Sequence, residues 1–196
     1  MNGQREMTEL LRLVEAIYRS TPELSEFGEW PSDLSPAQIP QKHIPAANII
    51  MSLPDKGVPE TQEIVQAIQE AAPFANWTQT YTVEEVGQDF LDRYGYFELF
   101  GPYGNFHTDH LRGYVGFWDT NLDYGWHDHE AEELYFGLSG SGLFKAEGEE
   151  NRRIGPGDAK YHRSFQAHAM ETIDDHFLCL AFWRGSGMAD LPKMKS

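Results

Sequence analysis

Apolar residues recur with two different periods along this chain of 196 residues, and the change comes near residue 95. In the first half, Leu10, Leu13, Val14 and Ile17 fall at i, i+3, i+4 and i+7. That spacing predicts one face of an amphipathic helix, ended before Pro22. Pro31, Pro36, Pro40 and Pro45 follow in a stretch that reads as an extended connector. Ile64, Val65, Ile68 and Ala72 predict a second helix, closed by Pro73. Thr82 and Glu85 have the spacing of a capping box, in which hydroxyl and carboxylate satisfy each other's free backbone donors. They predict a third helix with Val83, Val86 and Phe90 on its buried face.

The second half alternates as strands do. Segments 96–100, 113–120, 126–136, 142–147, 160–165 and 177–184 are rich in aromatic and aliphatic residues. Gly101-Pro102, Gly148-Glu149 and Gly155-Pro156-Gly157-Asp158 supply turns between them. Many short strands predict a sandwich or barrel. The expected architecture is α+β and mainly β. Residues 1–95 form a helical extension packed on a barrel of residues 96–196, in one structural domain.

Composition narrows the class. With 40% hydrophobic residues the chain can bury a core without disulfide support, and its single cysteine, Cys179, allows no intrachain bridge. No internal repeat is present. The apolar runs are far too short for a membrane helix. Residues 1–20 carry Arg5, Glu6, Glu9, Arg12 and Glu15 where a secretory signal needs an apolar core, so a cytoplasmic address is expected. A formal charge of -16 disfavours nucleic acid and anionic membrane as partners, and its ordinary meaning is solubility.

The chemistry concentrates in residues 124–140. Side chains of a strand alternate between faces, and His127, His129, Glu133 and Tyr135 share odd parity. If the strand is regular, two imidazoles, a carboxylate and a phenol face the barrel interior, where unsatisfied polar groups are costly. A divalent cation satisfies such a set. Each residue alone has a plainer reading: a His-x-His pair is common on exposed strands, and Glu133 lies in an acidic run. Trp126 has even parity and is expected outside the barrel. His107 and His110 sit in a polar stretch that reads as surface, and His43 and His176 have no supporting pattern.

The spacing His127-x-His129, Glu133, Gly140 resembles the first cupin motif. Pro156-Gly157-Asp158 followed by His168 resembles the second. The resemblance implies a jelly-roll β-barrel with a metal on His127, His129, Glu133 and His168. His162 competes for the place of the late histidine, and motif spacing favours His168. The fold alone names no reaction. Tyr135, two residues after Glu133, and Tyr124, three before His127, narrow the choice, because a phenol beside a divalent ion is acidified and can serve as a base.

The pattern His-x-His-x-x-x-Glu-x-Tyr with an upstream tyrosine resembles the cupin-type dimethylsulfoniopropionate lyases, and among them the short bacterial form DddQ. What this implies is β-elimination giving dimethyl sulfide and acrylate. His129, Glu133 and His168 would hold Zn²⁺, Fe²⁺ or Mn²⁺, with His127 as a fourth ligand or just behind the set, where it also lines the substrate site. Tyr135 would be the base, and Tyr124 would orient the zwitterionic substrate or assist proton transfer. Trp183 matches a pocket tryptophan of the family that would face the sulfonium, and it serves equally well as core filler. Two rivals use the same residues: a mononuclear iron dioxygenase, and a non-catalytic cupin that binds a small organic anion or osmolyte. The chain is expected as a monomer or homodimer.

Overall fold

The heptad-like spacing near the start becomes α1 (Gln4–Ser20), which buries Met7, Leu10, Val14 and Tyr18, with Leu13 and Ile17 partly buried beside them. The computed structural model describes residues 3–54, 57–190 and 192–194 of the chain. After α1 come α2 (Pro22–Phe27), a short β1 (Ser35–Pro36) and α3 (Pro45–Ser52). The proline-rich stretch is therefore not extended throughout. Pro45 opens a helix at a first-turn position, where its missing N–H costs nothing. Next is α4 (Gln62–Ala71), followed by a 3₁₀ turn over Ala72–Phe74 that contains Pro73.

The third predicted helix needs correction. The Thr82 backbone N–H does donate to Glu85 Oε2 at 2.8 Å. However, α5 (Val83–Val86) is a single turn with no buried residue, and Val83 is 46% exposed. Gly87, at φ 80, interrupts the helix before α6 (Gln88–Arg93) buries Phe90 and Leu91. Capping chemistry starts a helix but does not set its length.

The strands are β2 (Tyr94–Gly101), β3 (Phe106–His107), β4 (Arg112–Trp118), β5 (Leu122–Asp128), β6 (Glu132–Gly140) and β7 (Gly142–Ala146). They continue with β8 (Arg152–Ile154), β9 (Ala159–His162), β10 (His168–Thr172), β11 (Phe177–Arg184) and β12 (Lys193–Met194). The segment predicted as one strand, 126–136, is two: β5 ends at Asp128 and β6 starts at Glu132. The two halves also belong to different sheets. One sheet has seven strands in the order β1-β3-β2-β4-β11-β6-β9, and the other has five, β12-β5-β10-β7-β8. These two sheets form the jelly roll of the cupin fold. Strands β8 and β10, with the two-residue β1, β3 and β12, lie outside the segments that the sequence pattern predicts.

The seven-stranded sheet separates two clusters of buried side chains. Along β11, Leu178, Leu180 and Phe182 belong to a core shared with the helices, with Val14, Ile50 and Val65 among its members. Phe177, Cys179, Ala181 and Trp183 belong to the barrel interior, with Tyr94, Tyr114, Tyr124 and Tyr135. The same alternation on β6 sends Leu134 and Phe136 to the helices and Tyr135 inward. Gly140, the glycine of the first motif, has φ 68, and a Cβ there would collide with the His176 carbonyl. Trp126 is 45% exposed, as its parity predicts.

Candidate active site

Residues from both sheets converge at one end of the barrel interior. His127 lies at the end of β5, His129 in the corner after it, Glu133 on β6 and His168 at the start of β10. Antiparallel pairing sets His168 opposite His127, and sets Glu133 between Trp183 and His162 on its two neighbouring strands. The shared face predicted from one regular strand is thus assembled from two strands and a turn. All four predicted ligands are buried.

Backbone carbonyls fix the imidazole tautomers. His129 Nδ1 stands 2.9 Å from Ala131 O, His168 Nδ1 2.8 Å from Gln166 O, and His127 Nδ1 2.8 Å from Gly125 O. Each Nδ1–H donates to its carbonyl, so in the neutral ring Nε2 presents a lone pair. Two of these lone pairs meet a carboxylate: His129 Nε2 and His168 Nε2 lie 3.2 and 3.1 Å from Glu133 Oε2. His168 Nε2 is sealed from solvent and makes no hydrogen bond. Three electron-rich atoms in a closed site call for a cation. His129, Glu133 and His168 can hold a metal ion, since one ligand atom from each lies within 4.8 Å of the others.

His127 stands outside that trio. Its ring packs on Tyr124 at 4.3 Å and on His168 at 4.2 Å between centroids, but 6.3 Å from His129. Burial, helped by neighbouring His168, pulls its pKa down to about 3. Glu133 behaves oppositely. Burial alone would raise it, yet His129 and His168 hold its carboxyl well below the usual range. Burial lowers the His129 imidazole, and the Glu133 carboxylate more than offsets this, so the net direction is upward.

His162, the competitor of His168, lies in the same site. It is fully buried, stacks on His168 at 4.1 Å with planes 14° apart, and neither ring nitrogen has a hydrogen-bond partner. Burial pushes its pKa down to about 2, so it is a neutral ring behind His168. The other histidines fall elsewhere: His43, His107 and His110 are exposed, and His176 bonds to Ser139 at 2.8 Å.

Trp183 does more than fill space. Its Nε1–H donates to Glu133 Oε1 at 2.6 Å, and its ring stacks on His129 at 4.0 Å. It thereby holds the carboxylate by the oxygen turned away from the two histidines. Trp183, Glu133, Tyr124 and Tyr135 line one pocket. Its remaining wall is aromatic to an extent the sequence did not suggest, with Tyr94, Tyr96, Tyr114 and Trp118. Tyr94 and Tyr96, two residues apart at the start of β2, were the available signal. Tyr124 bonds to Tyr81 through their hydroxyls at 3.0 Å. Burial, then the Glu133 carboxylate, raises the Tyr135 phenol well above its usual pKa.

Comparison with known proteins decides which cupin this is. A family model described as dimethylsulfoniopropionate lyase matches residues 29–179. The chain belongs to the dimethylsulfoniopropionate lyase family. It is 38% identical over 176 residues to the dimethylsulfoniopropionate lyase DddQ of Ruegeria pomeroyi, covering 90% of this chain and 88% of that one. The crystal structure of that DddQ superposes with a TM-score of 0.94 at 35% identity, over 98% of this chain and 97% of the other. A chain from the crystal structures of the lyases RdDddP and RnDddQII gives 0.97 at 39% identity, over the whole of both chains. Membership in this lyase family answers the choice left open against an iron dioxygenase and a non-catalytic binder. No helix among the described residues is long and apolar enough to cross a membrane.

Proposed function

We propose that this lyase cleaves dimethylsulfoniopropionate to dimethyl sulfide and acrylate by β-elimination, with Tyr135 as base and a divalent ion held by His129, Glu133 and His168. The observation that carries the proposal is that Tyr135 lines one aromatic pocket with Glu133, whose carboxylate also meets His129 and His168. Held by His129, Glu133 and His168, a divalent ion would supply Lewis-acid charge for the substrate carboxylate and would favour the ionised form of the nearby phenol. Without that charge Tyr135 is held protonated, so its role as base depends on the site being loaded.

The chain's own groups account for the rest. Pocket phenols and indoles present π faces suited to a sulfonium, which attracts them within about 6 Å. Tyr124 sits beside His127 and is tied to Tyr81, which suits it to orient the substrate or pass a proton. Tyr135 removes the proton alpha to the carboxylate, the electron pair forms the new double bond, and the carbon–sulfur bond breaks to release the neutral thioether. Trp183 keeps Glu133 oriented throughout. His127, packed on Tyr124 and His168, supports both or joins the ligand set. Zn²⁺, Fe²⁺ and Mn²⁺ all accept mixed nitrogen and oxygen ligation.

The test is an anaerobic headspace assay. Metal-loaded protein is expected to release dimethyl sulfide without O₂, and Tyr135→Phe to lose activity by roughly 10²- to 10⁴-fold with metal content unchanged. Release that requires O₂, or that persists in Tyr135→Phe, sinks this mechanism.

A further inference from the structure

Arg112 is a charged side chain beside the pocket wall that the elimination does not use. It opens β4, directly opposite Trp183 in the β4–β11 ladder, and is 4% exposed. Its partner Glu98 comes from β2. Arg112 Nε donates to Glu98 Oε2 at 2.8 Å and its NH2 nitrogen lies 2.7 Å from the same oxygen. The other arm of the fork leaves the barrel. NH1 donates to the backbone oxygens of Met188 at 2.7 Å and Asp190 at 3.2 Å.

These two carbonyls belong to the segment that follows β11. Met188 is buried in the aromatic cluster of the barrel interior, and Pro192 stands in the pocket wall. The guanidinium also lies 4.7 Å from the ring centre of Tyr114 and 5.9 Å from that of Trp183. Both of those rings line the pocket. One cation thus touches two wall residues and holds the backbone that brings a third. A buried guanidinium is costly unless all its partners are in place, so the arrangement has one favoured geometry.

We propose that Arg112, seated by Glu98, is a positioning residue of this lyase, which fixes residues 188–190 and so supports the pocket wall to which Pro192 belongs. It touches neither the candidate ligands nor Tyr135, so its action is on substrate binding through Pro192, Tyr114 and Trp183. The planar fork is essential, since it must serve Glu98 on one side and two carbonyls on the other. A lysine keeps the charge against Glu98 but cannot hold that geometry.

The decisive variant is therefore Arg112→Lys in the whole chain, with Arg112→Met beside it. Amide hydrogen exchange of the metal-loaded protein without substrate is read over residues 186–190. Exchange there is expected to quicken about tenfold or more, with β6 and β11 unchanged. In the kinetic arm, which alone rests on the reading under Proposed function, KM is expected to rise about tenfold while kcat falls less than about threefold and metal content holds. Unchanged exchange over 186–190 in Arg112→Lys overturns the proposal, whatever the activity. So does a fall in kcat with KM constant. If Arg112→Met does not fold, the lysine variant decides alone. If wild-type protein shows no lyase activity, the exchange result still stands or falls by itself.

Discussion

The two faces of the seven-stranded sheet are built from the same strands and have little else in common. Toward the helices, Leu134, Phe136, Leu178, Leu180 and Phe182 make a face without a titratable group among them. Toward the barrel interior the intervening positions carry Glu133, Tyr135, Cys179 and Trp183. The first face repays burial by dispersion and water exclusion alone. The second buries a carboxylate, several phenols and, from the facing strands, imidazoles, and each needs a specific partner. One face therefore stores stability and the other spends part of it on a charged, reactive pocket. A substitution on either face should show that division.

The largest expected effect is at the carboxylate. Glu133→Gln keeps the shape but removes the negative charge that two imidazoles and an indole surround. Metal affinity is expected to fall by a factor of 10² or more and lyase activity with it, by the general cost of losing an anionic ligand. Metal analysis after dialysis checks this. Stoichiometric retention of the ion by Glu133→Gln would place the metal elsewhere and end the distinction drawn between the faces.

The matching change on the helical face is Phe182→Ala. Phe182 is fully buried and packs edge-on against Tyr18 of α1 at 5.0 Å. Truncation should cost about 3–5 kcal/mol of stability, measured by denaturant titration, with the metal content of the folded fraction unaltered. A loss of metal at low denaturant in this variant would mean that the two faces are coupled.

The division of labour is only partly readable from residue order. The spacing of His127, His129 and Glu133 is local, and resemblance to the second cupin motif adds His168, so the four could be proposed from the sequence. Their common face is not that of one unbroken strand from 126 to 136, because the chain turns a corner at 129–131. The residues still meet because β6 turns Glu133 inward, while an irregularity in the β5–β10 pairing switches the inward side of β5 from Leu122 and Tyr124 to His127. Long-range features carry no such local mark. Nothing around Trp183 announces a bond to a carboxylate 50 residues away, and nothing around Arg112 announces Met188. His168 begins a strand only because His127 and Ala146 flank it in space. The helical half shows the converse, since its periodicity is read easily but the 46% exposure of Val83 depends on Gly87 ending α5 after one turn.

A pH titration of metal-free protein compares the faces without mutation. The pKa values of His127 and His162 are depressed in the fold to about 3 and about 2, well below the unfolded value near 6.5. A group depressed in this way contributes stability that is fully present above the unfolded pKa and is lost as pH falls through the window below it. Chelated protein should therefore lose thermal stability progressively below about pH 6.5, by an amount on the order of a few kcal/mol. Metal-loaded protein should resist until its ligands are protonated. A Tm that is flat from pH 7 to pH 4 in the chelated protein would show that these rings are not held neutral by burial.

The smallest effect concerns the turn that joins β9 to β10 and carries the carbonyl partner of His168. Phe165 has φ 56, a left-handed conformation that a bulky residue adopts only under constraint, and it is 61% exposed. Its backbone N–H donates to His129 O at 2.8 Å, and the next residue, Gln166, accepts from His168 Nδ1. The strained backbone therefore ties together two of the three candidate metal ligands, while the phenyl ring contributes little buried area. Phe165→Gly removes the Cβ clash and keeps both hydrogen bonds, and it should raise stability by up to about 1 kcal/mol with metal affinity retained. A thermal melt with and without metal measures both. If stability falls instead, the phenyl ring is packed against something that its exposure conceals, and the turn is held by that contact rather than by its link to His129.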